Sequence, residues 1–465
     1  MPPFIDRVSE LAFLDELAAR PGGQLYVLYG RRRVGKTALL REFCRSRPHV
    51  YFQAAQVPDS DNLSQFHAAA ADALDESGLR AARFESWEAL LGYLAQRADQ
   101  RLVVVLDEFP YLCEADPGLP SRIQRFWDHQ GQQSNLMLAL SGSAVSFMEN
   151  KVLAGRSALF GRRTGQQELL PLPLPAAVRF FPGWSLADQF RAYGALGGMP
   201  MYLAQFDPRR SFPENVSQAL LRPQSLLYEE PANLLRSELR DPQVYNGILE
   251  AVAAGLTRPN EIAGRVGVQV TALSHYLPVL QSLRLLRRTV SITDRAPDKR
   301  SRGRYFLADN FLRFWYRFVL PNRSLLEMDL GDEVWRNQVS PMFDQFLGAT
   351  FEQACRDWVR AGGKERLPSP PLGDVGPFWS RDVEIDLLCE TADGGHLAGE
   401  CKWSVSPVGP RALEGLREKT MSLPETWQKG LRLALFSRSG FSDSLRERAD
   451  AEDVLLVGLE DLVGG

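Results

Sequence analysis

Leu25 Tyr26 Val27 Leu28 Tyr29 runs directly into Gly30 Arg31 Arg32 Arg33 Val34 Gly35 Lys36 Thr37 and then into Ala38 Leu39 Leu40 Arg41 Glu42 Phe43. The first run is short and apolar, as a buried strand is. The next eight residues fit G-x-x-x-x-G-K-T without a mismatch, and the last six open a helix. Strand, glycine loop and helix in that order distinguish a phosphate-binding P-loop from a chance match. The glycines let backbone amides turn toward phosphates, Lys36 reaches the outer phosphates, and Thr37 offers its hydroxyl to magnesium. Arg31, Arg32 and Arg33 add positive potential inside the loop. Gly30 through Thr37 are therefore the candidate nucleotide contacts, and the expected fold class at this end is α/β.

Outward from the loop, Arg101 Leu102 Val103 Val104 Val105 Leu106 Asp107 Glu108 is a second buried run ending in two acids. Asp107 is positioned to hold magnesium together with Thr37, and Glu108 to polarise an attacking water as general base. A third run, Leu136 Met137 Leu138 Ala139 Leu140, ends in Ser141 Gly142 Ser143, where the Ser141 hydroxyl is a candidate sensor of the terminal phosphate. Arg156, Arg162 and Arg163 follow in a strand-free stretch. Arginine suits a transferring phosphoryl group because its charge is permanent and its donors are forked, which makes Arg162 and Arg163 the candidate arginine fingers. A finger acts in cis or across a subunit interface, so a homo-oligomer stays open.

Composition sets the bounds. At 465 residues the chain is too long for one core. Its 45% apolar and 24% charged residues are those of a water-soluble globular protein. No run of about twenty uncharged apolar residues occurs and no signal-peptide pattern opens the chain, so the expectation is a cytoplasmic protein without a membrane partner. The five cysteines, Cys44, Cys113, Cys355, Cys389 and Cys401, show no metal-ligand or disulfide spacing. A net charge of −3 gives no global attraction to nucleic acid, so any DNA contact has to come from local patches.

Near the C-terminus, Val383 Glu384 Ile385 Asp386 Leu387 Leu388, a turn at Thr391 Ala392 Asp393 Gly394 Gly395, and Leu397 Ala398 Gly399 Glu400 Cys401 Lys402 Trp403 read as a hairpin carrying D…ExK. Side chains alternate along a strand, so Glu400 and Lys402 share a face and Asp386 meets them from the partner strand. Two carboxylates bind a hard divalent cation, and a lysine beside it orients a water or offsets phosphoryl charge. That is the chemistry of a metal-dependent nuclease. The same alternation also fits a solvated hairpin with no site. Upstream, Phe343, Leu347, Phe351 and Cys355 recur every four residues and predict a helix flanked by Glu352.

Between the two ends, helices are predicted at 244–253, 259–266 and 270–283, then strands at 287–292 and 305–307. This is the order of a winged helix-turn-helix, with Thr271, Ser274 and His275 on the recognition helix. Pro278 is expected to kink or end that helix early. The loop between the strands carries Arg295, Lys299, Arg300 and Arg302, with Arg304 at its end, a basic wing suited to DNA phosphates or to an internal arm. Residues 309–319 read as an aromatic helix for core packing.

Phe4 Ile5 Asp6 Arg7 and Glu10, Leu106 Asp107 Glu108, Ser141 Gly142 Ser143, Phe160 Gly161 Arg162 Arg163 and Gly197 Gly198 Met199 Pro200 Met201 Tyr202 Leu203 together resemble the archaeal-type AAA-related ATPases, a family similar to the STAND group of signalling NTPases. The C-terminal run, with a helix at 410–421 and strands at 431–436 and 454–459, resembles the PD-(D/E)xK nuclease-like domain called DUF234, the usual partner of those ATPases. The resemblance implies ATP and magnesium at the P-loop, with manganese an alternative at the nuclease site, and it adds Glu352 to Asp386, Glu400 and Lys402. Glu384 is a further candidate ligand. No proline directly precedes Asp386, which departs from the motif's name. The implied organisation is a P-loop core at 1–169, a helical lid at 170–240, a winged helix-turn-helix at 241–310, an aromatic linker helix at 311–340 and a restriction-endonuclease-like α/β domain at 341–465. The expected function is an ATPase coupled to a metal-dependent DNase in nucleic-acid processing or defence. The rivals are a STAND-like regulatory switch and a DNA-binding transcriptional regulator, both with a non-catalytic nuclease-like domain.

Overall fold

The computed structural model describes residues 4–239, 241–294 and 303–464. The chain divides into two compact units, residues 1–172 with 199–201, and residues 173–198 with 202–465. The wing residues Arg295, Lys299, Arg300 and Arg302 lie outside the described residues. No helix among the described residues is long and apolar enough to cross a membrane.

In the first unit, β1 (Gln24–Tyr29), β2 (His49–Gln53), β3 (Leu102–Asp107), β4 (Leu136–Gly142) and β5 (Gly165–Glu168) form one sheet in the order β2-β3-β4-β1-β5. Every pairing is parallel. β3 and β4 are buried along their whole length, because helices cover both faces of a parallel sheet and leave no alternation of polar residues. One face packs on a core that includes Phe52, Phe66, Trp87, Leu91 and Phe126. This order puts the ends of β1, β4 and β3 side by side, so the P-loop, Ser141 to Ser143 and Asp107 to Glu108 emerge at one edge.

The second unit begins with helices, Leu186–Leu196, Phe212–Ala219 and Glu230–Glu238 among them. Helices Pro242–Ala253 and Pro259–Val266, a 3-10 turn Val270–Ala272 and helix Leu273–Ser282 follow, then the antiparallel pair β6 (Leu286–Thr289) and β7 (Arg304–Leu307). Pro278 does not end its helix. Its missing N–H removes only the bond to the Ser274 carbonyl, while Leu273, Leu277 and Leu280 hold the inner face in the core. The aromatic segment is not one helix: Asn310–Phe314 is α-helical, Trp315–Val319 is π-helical and Leu320–Asn322 is 3-10. Phe311, Phe314, Trp315, Tyr316 and Phe318 are all buried, so packing decides the winding here.

Helix Ser340–Arg360 buries Phe343, Leu347, Phe351 and Cys355. After it come β8 (Pro371–Trp379), β9 (Glu384–Thr391), β10 (His396–Lys402), β11 (Leu431–Ser437) and β12 (Leu455–Gly458), in the order β12-β11-β10-β9-β8. β8, β9 and β10 are antiparallel neighbours, and β10, β11 and β12 run parallel. Helix Pro410–Thr420 packs Leu413 and Leu416 into the core on this sheet.

Candidate functional site

The P-loop leaves β1 at Gly30 and enters helix Lys36–Cys44. Gly30 has φ 150°, and a Cβ there would stand 2.4 Å from the Leu169 carbonyl oxygen, so no side chain fits. Lys36 is buried, and its Nζ donates to the carbonyls of Gly30 (2.7 Å) and Arg31 (3.1 Å), which sets the ammonium at the centre of the loop. Thr37 Oγ1 donates to Asp107 Oδ2 at 2.8 Å, and Tyr51 donates to the same oxygen at 2.7 Å. The Glu108 backbone N–H donates to Asp107 Oδ1 at 3.0 Å. The fully buried Asp107 carboxylate is thus met by three donors. Burial, and then the Asp107 charge, push the Tyr51 phenol above its ordinary pKa and keep it a donor. Thr37 and Asp107 are oxygen donors, the kind that suit magnesium.

Glu108 follows Asp107 at φ 54°, ψ 44°. A left-handed conformation is unfavourable for a residue with a β-carbon and is held where function requires it. Ser143 Oγ donates to Glu108 Oε1 at 2.7 Å. Ser143 is therefore the strand-end hydroxyl at the general-base candidate. Ser141 is fully buried, and its Oγ has no partner among the described residues.

At the other end of the chain, register Gly399↔Leu387 brings Asp386 and Glu400 opposite each other one step on. Asp386 Oδ2 accepts the Cys401 N–H at 2.8 Å. Burial, then the carboxylates of Glu352 and Glu400, raise the Asp386 pKa to about 7. Burial also holds Glu352 above its ordinary value, although Arg356 lies 3.7 Å away. Glu400 is 5% exposed and carries two ammonium groups: Lys402 Nζ at 2.8 Å, and Lys419 Nζ at 2.8 Å from both carboxylate oxygens. Burial opposes the Lys402 charge, but the Glu400 bond and the surrounding acids outweigh it and raise its pKa. Glu352, Asp386, Glu400 and Lys402 therefore share one electrostatic neighbourhood. No group of three or more His, Cys, Asp or Glu among the described residues is placed to hold a metal ion. In this arrangement Glu400 turns its oxygens to two lysines. Glu384 is exposed and pairs with Arg304 at 3.7 Å.

Residues 4–206 match the family described as an ATPase domain predominantly from Archaea, and residues 315–412 match DUF234, described as archaeal and bacterial proteins of unknown function. An uncharacterised protein of Methanocaldococcus jannaschii is 32% identical over 402 residues, covering 86% of this chain and 87% of that protein. The chain belongs to this archaeal-type ATPase family. An uncharacterised ATP-binding protein of the same organism is 43% identical over 44 residues, covering 10% of this chain and 75% of that protein. Among solved structures, a Walker-type ATPase of Pyrococcus abyssi has 20% identity and a TM-score of 0.51, covering 68% of this chain and 96% of that one.

In this ATPase the arginines near the loop have distinct positions. Arg31 is buried, Arg32 donates to the Tyr111 hydroxyl at 2.8 Å, and Arg33 has φ 70°. Arg162 is held by Asp128 through two bonds, 2.8 and 2.9 Å, and Arg163 donates to the Leu153 carbonyl at 3.2 Å and to Gln166. Both are committed to partners outside the P-loop, and Arg156 is exposed. Three contributors escaped sequence reasoning as site residues. Arg7 donates to the carbonyls of Val34 (3.2 Å) and Leu170 (2.7 Å) and clamps the loop. Tyr51 and Lys419 reach their carboxylates from elements with no motif of their own. Pro200, from the expected lid segment, stands 3.8 Å from where a Cβ on Gly35 would lie.

Proposed function

We propose that ATP and magnesium bind at Gly30 to Thr37 with Asp107, that Glu108 acts as general base, and that this cycle governs a metal-dependent nuclease site formed by Glu352, Asp386, Glu400 and Lys402. The observation that carries the second half is the crowding of Asp386 by Glu352 and Glu400. Three oxygen-donor side chains in one field suit a hard divalent cation, whose charge relieves that repulsion and activates a water toward a phosphodiester. In this chain Asp386 and Glu400 would hold the ion, Glu352 would complete or orient its shell, and Lys402 would orient the water or offset phosphoryl charge. The helix–helix–helix–hairpin segment, read as a winged helix-turn-helix, would bring DNA to the site through its exposed Thr271 and His275.

Coupling is supported by the chain path. Met199 to Met201 belong to the first unit, and the helix just before them, Leu186–Leu196, belongs to the second. In the second unit Phe190 of that helix packs on Trp403, next to Lys402, with ring centroids 4.5 Å apart. A second reading, a regulatory switch with a non-catalytic nuclease-like domain, is favoured by Lys419, which neutralises Glu400 without a metal. Supercoiled plasmid incubated with magnesium or manganese separates the two. Cleavage by the wild type and none by Asp386→Ala supports the nuclease, whereas no cleavage under either metal, with no divalent binding to the Lys36→Ala chain by calorimetry, leaves the switch.

A further inference from the structure

A cavity of about 460 Å³ within the second unit is walled by Arg287 and Phe306 of the β6–β7 pair, Arg313 and Arg317 of the aromatic segment, and Phe346 of helix Ser340–Arg360. No aspartate or glutamate lines it. Arg287 lies 5.6 Å above the Phe306 ring and Arg313 lies 4.8 Å above Phe346. Stacking covers the faces of the two guanidiniums and leaves their edges to donate.

The edges find only neutral acceptors. Arg313 donates to Thr350 Oγ1 (2.7 Å), Asn310 Oδ1 (3.3 Å) and the Phe346 carbonyl (3.2 Å). Arg287 donates to the amide oxygen of Gln353, and its buried Nε has no partner among the described residues. Neither arginine forms an ion pair among the described residues; the acids that influence them, Asp357 and then Glu352 for Arg287 and Glu352 for Arg313, are already at Arg360 and Arg356. Burial, with the repulsion of Arg356 and Arg313, lowers Arg287 to about 10, and burial lowers Arg313 to about 10. Half-buried cations that neutral groups alone satisfy are unfavourable unless an anion completes them. Arg317, one helical turn beyond Arg313, is exposed and adds a third charge at the rim.

We propose that this cavity binds a small phosphorylated ligand of mononucleotide size, with its phosphate on Arg287, Arg313 and Arg317. The volume lies in the range of small-molecule sites, and Phe306 and Phe346 beside the arginines suit a flat or apolar remainder. None of Glu352, Asp386, Glu400 and Lys402 lines the cavity, and the P-loop belongs to the other unit, so the proposal does not require either functional reading.

Calorimetry tests it on the full chain carrying Lys36→Ala, which weakens the P-loop equally in all arms. AMP, ribose 5-phosphate and pyrophosphate are titrated into that chain and into the same chain with Arg317→Glu or Arg313→Lys. The expected result is one saturable site for at least one probe, weakened tenfold or more by Arg317→Glu, an exposed change that leaves the melting curve intact. Arg313→Lys keeps the charge but loses the fork, and about tenfold weakening is expected. AMP binding without pyrophosphate binding assigns the nucleoside a share of the affinity, and the reverse assigns it to the phosphates. No saturable heat with any probe, equal affinity in Arg317→Glu, or binding of a short single-stranded oligonucleotide alone overturns the proposal.

Discussion

The proposed hydrolytic end of the first site is built from Glu108 and Ser143. The carboxylate is aimed by a left-handed backbone and by one hydroxyl at 2.7 Å. Glu108→Gln should retain nucleotide affinity and lower kcat by about 10² to 10⁴, the range for removal of a general base. Ser143→Ala leaves the base but frees its rotation, so a fall in kcat of about tenfold with unchanged nucleotide Kd is expected. Phosphate release and fluorescent-nucleotide binding check both, and an unchanged kcat in Ser143→Ala would remove the positioning role. Arg162→Ala should alter kcat less than threefold, because the guanidinium is engaged with Asp128, and should lower stability by about 0–1 kcal/mol as a partly exposed pair does. A collapse of kcat in that variant would identify Arg162 as the finger. The P-loop and Asp107 were legible because their chemistry lies in consecutive residues. The bond of Ser143 to Glu108, and Tyr51, were not, because they depend on which strand lies beside which.

The elements that escaped sequence reading share a cause. β8, which the sequence reading did not mark, contains Pro371, Gly373, Gly376 and Pro377. It is nevertheless an edge strand, where one side needs no ladder bonds and proline and bulges are tolerated. Pro278 errs in the other direction: local preference argues for a break, and three buried leucines override it. Pro278→Ala should restore the bond to the Ser274 carbonyl and raise stability by about 1–2 kcal/mol, the helix-interior cost of proline less its restriction of the unfolded chain. Urea unfolding measures this, and a loss of stability would mean that the proline ring packs productively. The D…ExK hairpin was foreseen because turn glycines and alternation mark it. Lys419 comes from a helix whose pattern carries no sign of where its lysine points.

For the molecule as a whole, the P-loop and the proposed nuclease residues lie in two compact units, and the chain passes between the units at Leu172–Pro173 and on either side of residues 199–201. Trp403 is held in the second unit by Phe190, by Phe351 at 5.4 Å, by Arg438 at 4.6 Å and by its N–H to Asp344 at 3.2 Å. Trp403→Leu keeps an apolar side chain but loses the stack and the hydrogen bond. ATP hydrolysis should stay within twofold while nucleotide loses its influence on cleavage, measured by phosphate release and plasmid nicking on one preparation. Retained nucleotide control in that variant would move the coupling elsewhere. ATP turnover is proposed to govern phosphodiester cleavage. The most direct test is the rate of supercoiled-plasmid cleavage with magnesium, in wild type and Glu108→Gln, with and without ATP. A several-fold ATP dependence is expected in wild type and is expected to be lost in Glu108→Gln. Equal cleavage in all four reactions, or none in any, would contradict it.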